Sequence, residues 1–337
     1  MTTMLAGRYL APNRLEPVEI PVPTISPDEA LVKITACGFC GSDIGIISGV
    51  HARAKAPLTI GHECAGIVSE VGLNAHGIQP GEPVAVFPLI TCGVCNACRT
   101  GFSHVCSKLR LYGIDAEGGM TEYLKVPASS LIKLPRDMSP EIGALIEPLA
   151  VAVHAVHRAT WTEGALAVVI GAGPIGLLTA LVAKAQGIGR VLVTDVLDSR
   201  LKLSREIGLE TLHADALQKT VDDLTNREGT ELVFECAGTA ATARVMTAVA
   251  RPRGTIVNVS VFKKPAEVDL QALNFKELTL VGTRVYTRAD FEEAIQLASR
   301  LPLPKLVTNT FSLEQVSEAY ARFAGGEGCK FLIRPNS

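Results

Sequence analysis

Four of the nine cysteines stand close together in the stretch TCGVCNACRTGFSHVC, where two, two and seven residues separate them. They are Cys92, Cys95, Cys98 and Cys106. Four thiolates at this spacing can close a tetrahedral zinc site that leaves no position open for a substrate. Three of them also fit an iron–sulfur loop, although the fourth cysteine and the proline typical of that loop are missing. The spacing therefore predicts structural zinc, with an iron–sulfur cluster as the less favoured alternative.

A second set of metal-binding side chains is dispersed along the chain. Cys40 lies in CGFCGSD, His62 and Glu63 lie in GHE, and Glu147 lies in IEPLA. Together they offer a thiolate, an imidazole and two carboxylates. Catalytic zinc takes three protein ligands and leaves its fourth position to water or a substrate oxygen. This set predicts a catalytic zinc site.

A glycine-rich motif, GAGPIG at 171–176, follows the apolar run ALAVVI and precedes a helix-length segment. In a dinucleotide-binding fingerprint, Gly171 permits the tight turn, Gly173 lets the backbone approach the pyrophosphate, and Gly176 allows the helix to pack closely on the sheet. The helix N-terminus then offers free N–H groups to the phosphates. The motif in this setting predicts a dinucleotide cofactor.

The identity of that cofactor depends on the end of the next strand. RVLVTD finishes in Asp195, 19 residues after Gly176. A carboxylate there accepts hydrogen bonds from the adenosine ribose hydroxyls and repels a 2′-phosphate, which favours NAD. Arg200, five residues later, keeps NADP open as the alternative.

Two patterns divide the chain into regions. Residues 1 to about 135 contain short alternating or apolar runs such as EALVKITA, GIVSEVG and EPVAVFP, which are typical of a β-rich domain. From 141 to 285, strands including RVLVTD, ELVFECAG (231–238) and GTIVNVSV (254–261) alternate with helical segments, which predicts a parallel sheet covered by helices. Two amphipathic helices and a short terminal strand, KFLIRP, follow.

Composition excludes several classes of protein. With 32 Lys and Arg against 34 Asp and Glu, the net charge of −2 offers no basic field for nucleic acid or an anionic membrane. The 47% of apolar residues argues against disorder, and an odd number of cysteines argues against a disulfide framework. Residues 165–183 carry no charge, but the glycines and Pro174 near their middle favour a strand, a turn and a buried helix over a membrane span. Because the N-terminus resembles no signal peptide, we expect a cytoplasmic protein.

These motifs together resemble a known family, the zinc-dependent medium-chain dehydrogenases, and within it the branch of the polyol (sorbitol), threonine and butanediol dehydrogenases. The resemblance runs through CGFCGSD, GHECAGIVSEVG, GGMTEYLKVP, IEPLAVA, GAGPIG and FECAG. It implies an α/β protein in which a GroES-like β-rich catalytic domain, residues 1–140 and 286–337, is interrupted by a Rossmann NAD-binding domain, residues 141–285.

The resemblance also implies roles for individual residues. Cys40 and His62 match ligands of the catalytic zinc, Glu63 and Glu147 match the remaining ligand and its close partner, and Ser42 matches the hydroxyl that relays the alcohol proton. Where many relatives carry a histidine after this hydroxyl, the chain has Gly45, which leaves His51 or water to complete the relay. The implied cofactor-binding residues are Gly171, Gly173, Pro174, Ile175, Gly176, Asp195, Arg200, Cys236 and Ala237.

The expected activity is the reversible, NAD-dependent oxidation of a secondary alcohol to a ketone, with two zinc ions per chain and a homodimer or homotetramer as the assembly. Two carboxylates at the metal favour a polyol or sugar derivative as the substrate. A small diol or a 3-hydroxy amino acid is the alternative. A non-catalytic scaffold or regulator that binds NAD and zinc is the alternative from another class. A zinc-ribbon nucleic-acid module is weaker, because residues 92–106 contain no dense basic patch.

Overall fold

The computed structural model describes residues 2–336, and the chain forms two compact units. The first unit contains the residues up to Glu147 together with those from Thr287 onward, and the second is Pro148–Tyr286. In sequence, the second unit therefore interrupts the first.

Short strands dominate the part of the first unit that precedes Glu147, as its short apolar runs predict. The strands are β1 (Thr3–Ala11), β2 (Arg14–Pro21), β3 (Glu29–Gly38), β4 (Leu58–Thr59), β5 (Glu63–Val71), β6 (Pro83–Val86), β7 (Leu89–Ile90), β8 (Arg110–Leu111), β9 (Tyr123–Pro127) and β10 (Leu131–Lys133). The helices are α1 (Gly41–Ile47), α2 (Asn96–Arg99) and α3 (Pro140–His157), which begins in this unit, with 3₁₀ turns at Ser103–Val105 and Ala128–Ser130.

The second unit is built around one parallel sheet. Its strands are β11 (Leu166–Ile170), β12 (Arg190–Asp195), β13 (Glu210–His213), β14 (Thr230–Glu235), β15 (Ala250–Asn258) and β16 (Thr279–Gly282). The connecting helices are α4 (Pro174–Ala185), α5 (Asp198–Glu206), α6 (Leu217–Thr225), α7 (Ala240–Val249) and α8 (Leu270–Phe275), with a 3₁₀ turn at Ala214–Ala216. The order β13-β12-β11-β14-β15-β16 is that of a doubly wound dinucleotide-binding fold, which confirms the predicted α/β class.

Two details of this sheet differ from the sequence-based prediction. The edge strand β13 was not predicted, because its four residues, ETLH, are too few to show an alternating pattern. The predicted strand ELVFECAG ends at Glu235 instead of Gly238. The N–H groups of Ala237 and Gly238 turn back to the Glu235 carboxylate, at 3.0 and 2.9 Å, and Gly238 has a φ of 69°. The predicted GTIVNVSV strand likewise ends at Asn258, because the next two N–H groups bond to the Glu235 carbonyl.

The C-terminal segment returns to the first unit. It contains α9 (Arg288–Ala298), β17 (Val307–Ser312), α10 (Val316–Ala324) and β18 (Lys330–Arg334), with 3₁₀ turns at Leu303–Leu306 and Leu313–Gln315. Strand β18 pairs antiparallel with β3 in the sheet β10-β6-β5-β3-β18-β17, to which β9 adds on β3. The other sheets of this unit are β2-β1-β4 and the pair β7-β8. The last residues of the chain therefore lie beside the strand that leads to Cys40.

The uncharged stretch 165–183 is divided between β11, a glycine-rich turn and α4, as predicted. Among the residues that the structure describes, no helix is both long enough and apolar enough to cross a membrane.

Candidate active site

The loop between β7 and β8 brings four cysteine sulfurs together. The sulfur–sulfur distance is 3.5 Å for Cys92–Cys106 and for Cys95–Cys98, 3.8 Å for Cys95–Cys106 and 4.0 Å for Cys92–Cys98. Four ligands about 2.3 Å from a central zinc ion lie about 3.8 Å from one another in a tetrahedron. The four side chains therefore fit a closed tetrahedral metal site.

Backbone amides stabilise the thiolates of Cys92 and Cys95, whereas burial and the neighbouring cysteines raise the pKa of the Cys98 thiol to about 11. The N–H of Cys95 donates to the Cys92 sulfur at 3.3 Å. Hydrogen bonds from the backbone at Cys98 and Ser107 lower the pKa of the Cys95 thiol to about 5. Because metals bind the thiolate and not the thiol, these amides favour the form of the side chain that holds an ion.

A second cluster lies where β3 ends and β5 begins. The β3–β5 pairing places Gly38 opposite Glu63, and Cys40 follows as the N-cap of α1. One ligand atom each of Cys40, His62 and Glu63 lies within 4.8 Å of the other two. A Cβ atom at position 38 would lie 2.3 Å from the Glu63 carboxylate, so that glycine leaves room for this side chain. The structure thus brings together three of the four predicted ligands of a catalytic metal.

The charges around His62 create a site that suits a cation. Burial alone would lower the pKa of His62, but the Cys40 sulfur, by charge and by a hydrogen bond, and the Glu147 carboxylate raise it well above the usual value. The imidazole is 5% exposed. A buried pocket of negative potential that favours a proton on histidine equally favours a metal ion in the same place.

Glu147 and Ser42 lie near this cluster in different ways. Glu147 is buried on α3 and acts on His62 by its charge, but it lies outside the three-residue group described above. The Ser42 hydroxyl oxygen is buried on α1 and has no hydrogen-bond partner among the described residues. A buried hydroxyl without a partner is rare in folded proteins, and it is one sign that a ligand completes the site.

Lys330 is a neighbour of this cluster that the sequence analysis missed. Its ammonium donates to Glu63 Oε1 at 2.8 Å, to Glu63 Oε2 at 2.5 Å and to the carbonyl of Phe39 at 3.0 Å. Burial alone would lower the pKa of Lys330, but the Glu63 carboxylate and the Cys40 sulfur raise it. No spacing in the sequence signals this contact, because 267 residues separate the two partners.

Asp43 is a second residue that the sequence analysis left without a role. It is fully buried, and its Oδ2 accepts the N–H of Cys40 at 2.9 Å. Its Oδ1 and the Nδ1 of His62 both lack a hydrogen-bond partner in the described chain. Burial raises the pKa of Asp43 to about 6, although the charge of His62 lowers it. Since metal-bound histidines commonly donate their second N–H to a carboxylate, Asp43 is a candidate partner that orients His62.

The geometry disfavours His51 as the end of a proton relay. Its Nδ1 faces two backbone N–H groups, those of Arg53 at 3.3 Å and Ala54 at 3.2 Å. The hydrogen of the neutral ring therefore sits on Nε2, and the basic nitrogen is occupied. Burial and the nearby Arg53 charge lower the pKa of His51 further. Gly45 offers no side chain in its place.

In the second unit, the predicted glycine motif forms a tight turn between β11 and α4. Gly171 has a φ of 105°, and a Cβ on Gly176 would lie 1.8 Å from the Gly171 carbonyl oxygen. Gly173 is the N-cap of α4, with Pro174 and Ile175 in the first turn, and its own Cβ would meet no atom within 4 Å. The space beside Gly173 and the uncapped helix N-terminus match the requirements of a pyrophosphate.

Asp195 closes one side of this turn. Its Oδ2 accepts the N–H of Ala172 at 2.8 Å and a longer bond from Arg200 at 3.4 Å, while its Oδ1 accepts the N–H of Leu197 at 3.0 Å. The side chain is 6% exposed, in keeping with a carboxylate that serves the backbone as well as a ligand. The predicted NAD-selecting residue is therefore attached directly to the glycine turn.

The loop after β14 closes the other side. The Cys236 N–H donates to the Ile170 carbonyl at 2.9 Å, and a Cβ on Gly171 would lie 3.0 Å from the Ala237 side chain. Burial raises the pKa of the Cys236 thiol, which marks it as a packing residue and not as a reactive one. Glu235 was missed by the sequence analysis. Its carboxylate orders this loop and also accepts the Ser260 hydroxyl after β15.

Two family models match the chain. Residues 26–136 match the alcohol dehydrogenase GroES-like domain, and residues 174–300 match the zinc-binding dehydrogenase model. The chain is 36% identical over 340 residues to a 2-dehydro-3-deoxy-L-galactonate 5-dehydrogenase of Pseudoalteromonas atlantica, an alignment that covers 99% of each protein. The chain belongs to the zinc-dependent medium-chain dehydrogenases. It is an oxidoreductase that acts on alcohols, as the resemblance predicts.

Other relatives of this dehydrogenase place it in the branch of polyol and threonine enzymes. It is 35% identical over 329 residues to an L-threonine 3-dehydrogenase of Bacillus velezensis, with 94% of each chain covered. Among solved structures, a Sinorhizobium meliloti zinc-binding dehydrogenase bound to NADP superposes with a TM-score of 0.93 at 29% identity, covering 99% of this chain and all of that one. An E. coli alcohol dehydrogenase in complex with NADH superposes with a TM-score of 0.92 at 30% identity and the same coverage.

The glycine turn yields the first prediction. We expect Gly173→Ala to fold normally but to weaken NAD binding by roughly tenfold or more, because its methyl group enters the space where the pyrophosphate approaches the backbone. We expect Gly176→Ala to lower the free energy of unfolding by about 3 kcal/mol, because its methyl group meets the Gly171 carbonyl. Denaturant unfolding and NAD titration of both variants measure the two effects. Equal losses of stability in the two variants would contradict this assignment.

Proposed function

We propose that this dehydrogenase uses NAD and two zinc ions per chain to oxidise a secondary alcohol of a polyol or sugar-derived acid reversibly to a ketone. The single observation that carries the proposal is the group formed by the half-buried Cys40 and the buried His62 and Glu63, with the Ser42 hydroxyl, which has no hydrogen-bond partner among the described residues, nearby. In this proposal, residues 1–140 and 286–337 form the catalytic domain, and residues 141–285 form the NAD-binding domain.

The proposed metal ligands divide into two sets. Cys92, Cys95, Cys98 and Cys106 hold a structural zinc ion, because four thiolates leave no open position. Cys40, His62 and Glu63 hold the catalytic ion, with Glu147 as the nearby carboxylate that exchanges with water or substrate. When bound there, zinc supplies a positive charge that lowers the pKa of an alcohol hydroxyl. The charge of the Asp43 carboxylate acts on His62, and Lys330 neutralises Glu63.

The proton of the alcohol leaves through Ser42 Oγ. This hydroxyl can accept one proton and donate its own, and it has no competing partner in the described chain. Because Gly45 has no side chain and the basic nitrogen of His51 is occupied, the proton continues to water. A nicotinamide cofactor held at the glycine turn and Asp195 would supply the hydride acceptor.

We propose NAD as the preferred cofactor. The Asp195 carboxylate is held beside the glycine turn, where it can accept the ribose hydroxyls and where its charge repels a 2′-phosphate. Arg200 Nη1 lies 3.4 Å from Asp195 Oδ2, and this ion pair reduces the attraction of Arg200 for a 2′-phosphate. One similar solved structure is bound to NADP and the other to NADH, so that similarity alone does not select the cofactor. The third prediction below measures the preference.

The substrate class follows from the acidic site. Glu147, which lies outside the Glu63–Lys330 pair, can accept a hydrogen bond from a neighbouring hydroxyl of a polyol chain, and the relative named for a deoxy-sugar acid supports such a substrate. A 3-hydroxy amino acid is the second candidate, because a relative of nearly equal identity is an L-threonine 3-dehydrogenase.

We further propose a homodimer that forms through the edge strand β16. This strand pairs with β15 on one side, and Leu280 on it is 40% exposed. A hollow of about 330 Å³, lined mainly by apolar side chains such as Met246, Phe262 and Leu280, lies beside it. Phe275 and Val261 are 77% and 90% exposed. The unit therefore carries an unpaired strand edge, a hollow and projecting apolar side chains on the same surface. In a two-fold symmetric dimer, the edge strands of two copies can pair and the apolar groups of each copy can enter the hollow of the other.

The second prediction tests the activity itself. We expect the purified enzyme to contain two zinc ions per chain and to reduce NAD with polyols or sugar acids, as followed by NADH absorbance. Glu147→Gln should lower kcat by about 10- to 100-fold and leave the dissociation constant of NAD unchanged, because the lost charge acts at the metal site alone. Glu141→Gln on the same helix is the matched control and should keep full turnover.

Three results would redirect this assignment. Turnover with L-threonine but with no polyol or sugar acid would select the amino acid alternative. Full activity of Glu147→Gln would remove Glu147 from the reaction. One zinc ion per chain with no turnover on any alcohol would favour a non-catalytic scaffold.

The third prediction concerns cofactor choice. Asp195→Ser keeps an acceptor for the Ala172 N–H but removes the charge that repels a 2′-phosphate. We expect the ratio of kcat/KM for NAD to that for NADP to fall by about 100-fold, as the loss of a like-charge repulsion allows. Asp198→Ser, at the exposed start of α5, should leave the ratio unchanged. An unaltered ratio in Asp195→Ser would refute the role of Asp195.

The fourth prediction concerns assembly. Leu280→Lys places a charge on the exposed edge of β16, and we expect light scattering to show a shift from a dimer toward the chain mass of 35.6 kDa. Leu224→Lys, at a side chain of α6 that is 39% exposed, is the control and should remain dimeric. A Leu280→Lys protein that keeps the wild-type mass would place the interface elsewhere.

A further inference from the structure

Lys330 is a buried cation directly beside the proposed catalytic metal ligands. Its side chain is 3% exposed, and that of Glu63 is 1% exposed. All three acceptors of its ammonium belong to this region: both oxygens of Glu63 and the carbonyl of Phe39, the residue before Cys40. Lysine is rarely buried so completely unless its charge is paired, and here the pair is formed with a proposed metal ligand.

One carboxylate is therefore shared between two cations. Glu63 Oε1 and Oε2 both accept from Lys330, while a Glu63 oxygen also lies within 4.8 Å of the ligand atoms of Cys40 and His62. A metal ion bound to these side chains would compete with the Lys330 ammonium for the Glu63 carboxylate. Because both partners are buried, water screens this competition only weakly.

We propose that Lys330 is a positioning residue that competes with the catalytic metal for the Glu63 carboxylate and so keeps the coordination position of Glu63 exchangeable. This inference rests on the proposed function, in which Cys40, His62 and Glu63 hold zinc. Lys330 lowers zinc affinity by holding the carboxylate of Glu63. This contact weakens the hold of Glu63 on the metal and leaves room for an alcohol oxygen.

The first test measures zinc release from the full-length enzyme into an excess of a chromogenic chelator. Cys40→Ser identifies the release phase of the catalytic site, and Cys106→Ser identifies that of the four-cysteine site. We expect Lys330→Met to slow the catalytic phase by about tenfold, because the ion then holds Glu63 without a competitor. Lys133→Met removes an exposed ion pair of similar length, 2.6 Å to Glu82, and should release zinc at the wild-type rate.

The second test asks whether the effect passes through Glu63. In a Glu63→Gln background, which removes the shared charge, Lys330→Met should change zinc release by less than about twofold. Cobalt(II) substituted at the catalytic site provides a spectroscopic readout. The Cys40-to-cobalt absorption band should shift in Lys330→Met, where Glu63 binds more closely, and should return in Lys330→Arg, which restores the charge.

The outcomes separate this inference from the proposed function. Zinc release in Lys330→Met that is as fast as in wild type or faster would overturn the competition. Equal slowing in the Glu63→Gln background would also overturn it, because the effect would then be that of charge alone. A wild-type enzyme with no release phase that Cys40→Ser abolishes would instead refute the zinc site itself. Should Lys330→Met fail to fold, Lys330→Gln removes the same charge, keeps a donor for Phe39, and is expected to slow release in the same direction.

Discussion

The buried ion pair between Glu63 and Lys330 links the main sheet of the first unit to the proposed metal ligands. Two charges that are almost fully removed from water persist only when each satisfies the other. Glu63 opens β5 and Lys330 opens β18, so that the pair fixes both strands on either side of β3. The same pair places a carboxylate beside Cys40 and His62. One electrostatic requirement therefore serves the assembly of the sheet and of the proposed metal centre.

In the second unit, buried carboxylates are stabilised by backbone N–H groups instead of by a cation. Asp195 and Glu235 each stand at the end of a strand and accept N–H groups from the loops around the glycine turn. Close packing of Gly176 against the Gly171 carbonyl leaves no room for a side chain between helix and sheet. The carboxyl edge of the parallel sheet is thereby ordered before a cofactor arrives, which reduces the conformational entropy lost on binding.

Several buried polar groups of the first unit have no hydrogen-bond partner among the described residues. Ser42 Oγ, Asp43 Oδ1 and His62 Nδ1 are all buried without a hydrogen bond in the described chain, and all belong to the region of the Cys40 cluster. Such groups destabilise a fold by their desolvation unless a ligand or ion completes them. A missing ligand or ion explains three such groups in one region better than poor packing does.

The sequence by itself determined the family, the α/β class, the four-cysteine loop and the glycine turn, because these depend on short spacings and local alternation that survive without knowledge of distant contacts. It also predicted Asp195, which lies at a regular distance from the glycines. Three findings came only from the tertiary structure. Glu63 lies with Cys40 and His62, whereas Glu147 lies outside that group. Lys330 contacts Glu63, 267 positions away in the sequence, and a backbone N–H donates to the basic nitrogen of His51. The sequence likewise did not predict the edge strand β13, because four residues are too few to show an alternating pattern. The Glu63–Lys330 contact joins strands that are far apart in sequence, and no single stretch of residues encodes such a pairing. The contacts of His51 are local, but they depend on a loop conformation that the residue types do not specify.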